Sequence, residues 1–197
     1  MISLRRVLLS LVSALVLLVA LPAFAGPAKD AVKAKQEELF KLLEKEQENK
    51  KKIVAIFDEW IDYDEIAKAS MGDQWAKLTE AQQKEFTGLL KQLVSAAYER
   101  NMKKVLSFKI DYPGEESKGD GKTLVKMVAK HKTDERADSI KIDFLVQERA
   151  GKVKIIDIFP EEVSTVESYR SQFVKIYKEK GYDALIQKLK DKIAKGQ

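Results

Sequence analysis

The sequence predicts an α+β fold, and three observations carry that prediction. Apolar residues recur at helical spacing as far as about Lys104, alternate with period two from Leu106 to Phe159, and return to helical spacing beyond Pro160. Short turn signals separate four consecutive strand-like runs, the pattern of an antiparallel meander. Helices, then strands, then helices, with no strand–helix alternation, set the chain apart from parallel α/β folds.

The chain opens with Arg5 and Arg6, an apolar run from Val7 to Leu21 broken only by Ser10 and Ser13, and then Ala23-Phe24-Ala25. This is the layout of a secretory signal peptide with a small-x-small cleavage site. The run is shorter than the roughly 20 residues that span a bilayer. Residue 26 is Gly, not the Cys of a bacterial lipoprotein. Cleavage after residue 25 leaves residues 26–197 as one exported, soluble, unanchored domain, large enough for a substantial core. Losing Arg5 and Arg6 lowers the formal charge from +5 to +3. The remaining lysines and glutamates are interleaved, as on a solvated surface. Asn49-Lys50-Lys51-Lys52 and the tail from Lys188 are the densest basic stretches, and neither has interleaved aromatics. That argues against nucleic acid as a partner and leaves attraction to an anionic membrane surface open. With no Cys there is no disulfide, so the core alone must hold the exported domain.

Each element has its own signal. Ala28 to Glu48 reads as an exposed helix with a docking stripe at Val32, Leu39, Phe40, Leu42 and Leu43. Ile53 to Trp60 is a short apolar helix. Asp62 or Tyr63 opens another through Met71, with Gly72 as its stop. Thr79 and Gln82 form a capping-box signature for a long helix whose Phe86, Leu89, Leu90, Leu93, Ala97 and Tyr98 share one face. Leu106 to Tyr112 alternates as a first strand, with Pro113-Gly114 and Gly119-Asp120-Gly121 marking a turn region. Thr123 to Lys130 and Ile140 to Gln147 alternate likewise. Ala150-Gly151 turns the chain into Val153 to Phe159, which is apolar on both faces from Ile155 except at Asp157. Val163, Val166, Tyr169, Phe173, Ile176 and Tyr177 make the stripe of the next helix. Gly181 separates it from a last one carrying Tyr182, Leu185, Ile186, Leu189 and Ile193.

Little in the chain reads as catalytic. His131, the single histidine, falls near a strand end between Lys130 and Lys132, where an exposed histidine is the simpler reading than a base. Ligands for zinc are scarce. Asp58, Glu59, Asp62, Asp64 and Glu65 cluster at a helix junction without the spacing of a calcium loop, and stabilising a helix N-terminus explains them better. No phosphate loop, nucleophile elbow or HExxH appears. Asp157 is the one carboxylate with apolar neighbours, and hydrogen-bonded structure is its simpler role. No metal, cofactor or catalytic residue is expected. The strand faces and helix stripes could fill one another as an ordinary core or line a ligand cavity, and periodicity does not separate the two.

Tyr63-Asp64-Glu65-Ile66-Ala67-Lys68-Ala69-Ser70-Met71-Gly72 followed by Trp75 resembles the signature of the MlaC (toluene-tolerance auxiliary) family of periplasmic lipid carriers. The resemblance continues through Leu78-Thr79-Glu80-Ala81-Gln82-Gln83-Lys84-Glu85-Phe86, Val163-Ser164, Tyr169-Arg170-Ser171-Gln172-Phe173 and Gly181-Tyr182-Asp183-Ala184-Leu185, in order, over essentially the whole mature chain. Three positions depart. Val153 stands where the family often has Trp, and Pro160 and Glu162 replace an apolar-Glu-Gly turn, leaving Glu where Gly tolerates positive φ.

The resemblance implies a helical layer on a twisted four-stranded antiparallel sheet, with an apolar pocket for phospholipid acyl chains between them. It implies a monomeric periplasmic shuttle, linked to outer-membrane lipid asymmetry, between an outer-membrane lipoprotein complex and an inner-membrane ABC transporter complex. Phe86, Leu90, Leu93, Ala97, Phe108, Ile110, Val125, Met127, Ile142, Phe144, Ile155, Tyr169 and Phe173 are the candidate lipid-lining residues on that reading. Tyr169 and Arg170 are alternatively expected to fix their helix to the sheet. The alternatives are a carrier for another apolar ligand, such as a hopanoid or a lipoprotein acyl chain, a small enzyme using Asp157 and His131, and an interaction module with a filled core.

Overall fold

The structure, a computed structural model, describes residues 27–134 and 136–195, with the side chains of all but 98–105 among them. The signal peptide expected at residues 1–25 lies outside the described residues. Among the described residues, five α-helices and four strands follow one another in the expected order of classes: α1 (Pro27–Leu43), α2 (Glu46–Trp60), α3 (Tyr63–Met71), α4 (Glu80–Val105), β1 (Phe108–Gly119), β2 (Lys122–His131), β3 (Ile140–Arg149), β4 (Lys152–Pro160) and α5 (Thr165–Ala194). The fold is α+β. No helix among the described residues is long and apolar enough to cross a membrane.

Local chemistry sets several of these boundaries. The Asp62 carboxylate accepts from the Glu65 N–H at 3.0 Å and caps α3, and Gly72, at φ +51°, ends it. Thr79 and Gln82 close a reciprocal capping box, with Gln82 Oε1 accepting from the Thr79 N–H at 3.0 Å and Thr79 Oγ1 from the Gln82 N–H at 3.3 Å. Gly181, at φ +82° and ψ −179°, breaks α5 into the two segments that its sequence foretells. That backbone region is essentially reserved for glycine.

Three expectations need correction. The short helix expected from Ile53 begins at Glu46, because Glu, Gln and Lys sustain a helix without an apolar stripe. Pro113-Gly114 does not turn the chain but forms a bulge inside β1, with pairing resuming at Gly114 opposite Lys126. Proline is tolerated there because β1 is an edge strand with one side free of ladder bonds. Val163 lies before α5 rather than on its buried stripe, and it is 58% exposed.

The sheet order is β1-β2-β3-β4 with every pair antiparallel. Val125, Met127, Ala129, Phe144, Val146 and Ile155 are its buried positions toward the helices. α1 lies against β1, β2 and β4, and α2, α3 and α5 lie against β4, while the described part of α4 rests on α3 and α5. The linker after α2 covers the outer edge of β4 through an Ile61–Ile155 bridge and a 2.9 Å hydrogen bond from the Asp62 N–H to the Ile155 carbonyl. The other sheet face carries Lys126, Lys141 and half-buried Leu124, Leu145 and Phe159 around an open cleft of about 710 Å³.

Candidate lipid site between the helices and the sheet

The apolar layer is assembled from elements that the capping bonds hold in place. The box at Thr79 fixes the start of α4, and the Tyr182 hydroxyl donates to the Gln82 carbonyl at 2.8 Å, pinning the second segment of α5 to the same turn. From that platform Phe86 meets Phe173 edge-on at 5.7 Å and Trp75 at 6.3 Å. Tyr169 stacks on Phe173 at 5.1 Å. On the sheet side, Trp60 of α2 lies 6.0 Å from Phe144. Pairs of this kind contribute beyond their buried area.

The candidate lining residues fall into two sets. Phe86, Leu90, Leu93, Val125, Met127, Phe144, Ile155 and Phe173 are sealed from solvent. Ala97, Phe108, Ile110, Ile142 and Tyr169 are half-buried. The half-buried strand positions gather at one end of the sheet. Phe108 pairs with His131 and Ile110 with Ala129, which in turn pairs with half-buried Ile140. The next pair toward the other end holds Ile142, and beyond it Val125 and Phe144 are sealed. The layer is therefore sealed along β2, from Val125 through Met127 to Ala129, with half-buried candidates beside it on β1 and β3.

Polar groups around it are mostly structural. Asp157, 7% exposed, accepts from the Ser164 hydroxyl at 2.5 Å and from the backbone N–H groups of Ile158 at 2.8 Å and Val166 at 3.0 Å. Ser164 in turn caps α5 by accepting from the Glu167 N–H. The carboxylate thus ties β4 to the start of α5. Burial pushes its pKa up, against the pull of those donors, so desolvation is the stronger effect. Arg170 donates from Nε to the Ala69 carbonyl at 2.8 Å and pairs with Glu167 at 2.8 Å. It fixes α5 to the end of α3 rather than to the sheet. A Cβ at Gly72 would meet its side chain at 3.6 Å.

His131 is half-buried, with Nδ1 accepting from the Asp134 N–H at 3.0 Å and its ring edge-on to Phe108 at 5.1 Å. The acidic cluster is dispersed into separate pairs. Asp58 meets Lys91 at 2.7 Å, Glu65 meets Arg149 at 3.1 Å, and Glu59 bridges Lys35 of α1 and Lys152 of β4 at 3.1 and 2.8 Å. Those two lysines hold the Glu59 carboxyl down at about 2. Sequence reasoning missed Gln36, a buried amide on the stripe of α1 between Val32 and Leu39. Its spacing was the available signal.

These features define a class: an α+β protein whose helices cover one face of a meander sheet through an apolar layer with half-buried positions at its margin. A profile described as MlaC protein matches residues 28–191, and the chain belongs to the MlaC family. A solved structure of the phospholipid-binding protein from Ralstonia solanacearum, in complex with a phospholipid, shares the fold with a TM-score of 0.74 at 19% identity. The match covers 87% of this chain and 99% of that one. A comparison with curated proteins finds no match.

Proposed function

We propose that the mature chain, residues 26–197, is a periplasmic phospholipid carrier released by cleavage of the signal peptide in residues 1–25. It works as a soluble monomer that takes lipid from one membrane complex and gives it to another, an outer-membrane lipoprotein complex and an inner-membrane ABC transporter complex. The observation that carries this reading is the apolar layer, sealed at its centre and half-buried at the β1 end, on the fold of a protein that binds phospholipid. Acyl chains enter beside Ala97, Phe108, Ile110, Ile142 and Tyr169. They lie against Phe86, Leu90, Leu93, Val125, Met127, Phe144, Ile155 and Phe173, which separate to admit them.

The energetics suit a carrier. Burying a methylene is worth about 0.8 kcal/mol, so two acyl chains are held in a bilayer by on the order of 20 kcal/mol. The site must match most of that with apolar surface. It needs no cofactor and no catalytic residue, because the lipid is moved and not changed. Asp157 already serves the start of α5 and His131 the turn after β2, which supports a carrier over an enzyme built on that pair. A passive carrier only sets affinities, and direction belongs to energised partners.

Lipid extracted from the purified mature protein and analysed by mass spectrometry tests the proposal. Diacyl phospholipid near one per chain is the expected result. Its clean absence, or a hopanoid or a lipoprotein acyl chain in its place, removes the phospholipid reading.

A further inference from the structure

Gln36 is 2% exposed, on the stripe of α1 that faces the sheet. The Tyr112 hydroxyl donates to its Oε1, which fixes the amide's orientation and turns Nε2 toward Met127 Sδ at 3.3 Å. A thioether is a weak acceptor. Among the described residues it is the only acceptor for the two N–H groups of Nε2. A buried amide left so poorly satisfied destabilises the fold unless another acceptor comes to it.

Its place in the layer indicates which acceptor. Met127 stands opposite Ile142 in the β2–β3 register, with Tyr112 beside it at the β1 bulge. Tyr112 and Ile142 are half-buried, whereas Val125 and Phe144, one pair further along the same face, are sealed. The amide therefore sits on the sealed β2 row with half-buried Tyr112 and Ile142 to either side of it, at the boundary between closed and partly exposed surface. In a diacyl phospholipid the ester carbonyls occupy the same boundary, between chains that seek the apolar interior and a headgroup that seeks water. We infer that Gln36 recognises the bound lipid by donating a hydrogen bond from Nε2 to an ester carbonyl oxygen, and so selects ester-linked over ether-linked lipids. An ether linkage lacks the carbonyl and offers a poorer acceptor. The inference rests on the carrier reading and names its specificity-determining residue.

The test offers delipidated mature protein equal amounts of diacyl phosphatidylglycerol and its dialkyl-ether analogue of the same chain length, with bound lipid counted by native mass spectrometry. One hydrogen bond corresponds to an excess of ester lipid of about fivefold. Gln36→Met keeps the volume and removes both donors. It should bring the ratio to about one, with a lower Tm because the half-buried Tyr112 hydroxyl loses its acceptor. Should that variant fail to fold, the wild-type ratio decides alone. Equal loading by the wild type, or a preference that survives in Gln36→Met, overturns the inference and leaves the carrier reading standing. No loading of either lipid by the wild type overturns the carrier reading, and the role of Gln36 with it.

Discussion

At the centre of the apolar layer Phe86, Leu90, Phe144 and Phe173 are closed off from water, whereas at the β1 end Phe108, Ile110 and Ile142 keep part of their surface exposed. The centre draws aromatic contacts from α2, α4, α5 and β3 at once. The end is held by strand pairing and by the hydrogen bonds of His131. On the proposed reading, stability and capacity for a ligand are given to different residues of one layer.

The largest effects separate the two regions. Phe173→Ala should cost about 3–5 kcal/mol in urea unfolding, as expected for an aromatic truncated in a packed core. Ile142→Ala, with part of its surface already in water, should cost about 1 kcal/mol yet lower the lipid recovered per chain. Equal costs for the two would erase the distinction. Asp157→Ala comes next, at about 1–3 kcal/mol, because it strands the Ser164 hydroxyl and the Val166 N–H at the start of α5. Asp157 also sets a pH dependence. Its raised folded pKa means that its contribution is greatest below the ordinary carboxylate range and is lost as pH rises through the folded value. In Asp157→Asn, denaturation midpoints followed upward from about pH 4 should lose that decline.

Smaller effects probe the margins. Glu161 and Glu162 both adopt positive φ, at 47° and 68°, in the turn after β4. Lys141 holds them: its carbonyl accepts from the Glu161 N–H, its own N–H donates to Glu161 Oε1, and its ammonium pairs with Glu162. Glu162→Gly should raise stability by about 0.5–1 kcal/mol, read from Tm, since relief of the left-handed backbone outweighs an exposed ion pair. Glu59 has the opposite pH sign to Asp157. Its lowered pKa gives a contribution that is present above the ordinary glutamate value of 4.5 and fades as pH falls toward about 2. Glu59→Gln should remove that acid-side loss, a minor change in a pH-dependent unfolding series because the carboxylate is exposed.

Features set by near neighbours in the chain were legible in the sequence. The cap and stop of α3, the capping box of α4 and the break at Gly181 each depend on one or two residues whose backbone or hydrogen-bonding preference is strong. The structural role of Asp157 was the simpler reading in the sequence, because a carboxylate with apolar neighbours on both sides must be hydrogen-bonded where it is buried. What depends on tertiary context was not. Pro113-Gly114 has the composition of a turn, and only its place on an edge strand makes it a bulge. The polar first half of α2 carries no apolar stripe to mark it. Arg170 was expected to reach the sheet, but it donates instead to the Ala69 carbonyl at the end of α3. For the site, periodicity marks every inward side chain alike. It does not say which of them, Phe86 or Ile110, is sealed and which meets water, because that depends on where the covering helices stop.

The most direct test places a photoreactive benzoylphenylalanine at Ile110, on the half-buried end of the inner face, and separately at Leu145, on the outer face of the same sheet. After irradiation of lipid-loaded protein, intact-mass measurement should show a phospholipid adduct at position 110 and none at 145. An adduct at 145, or none at 110 in protein that carries lipid, would contradict the assignment of the lipid to the layer between helices and sheet.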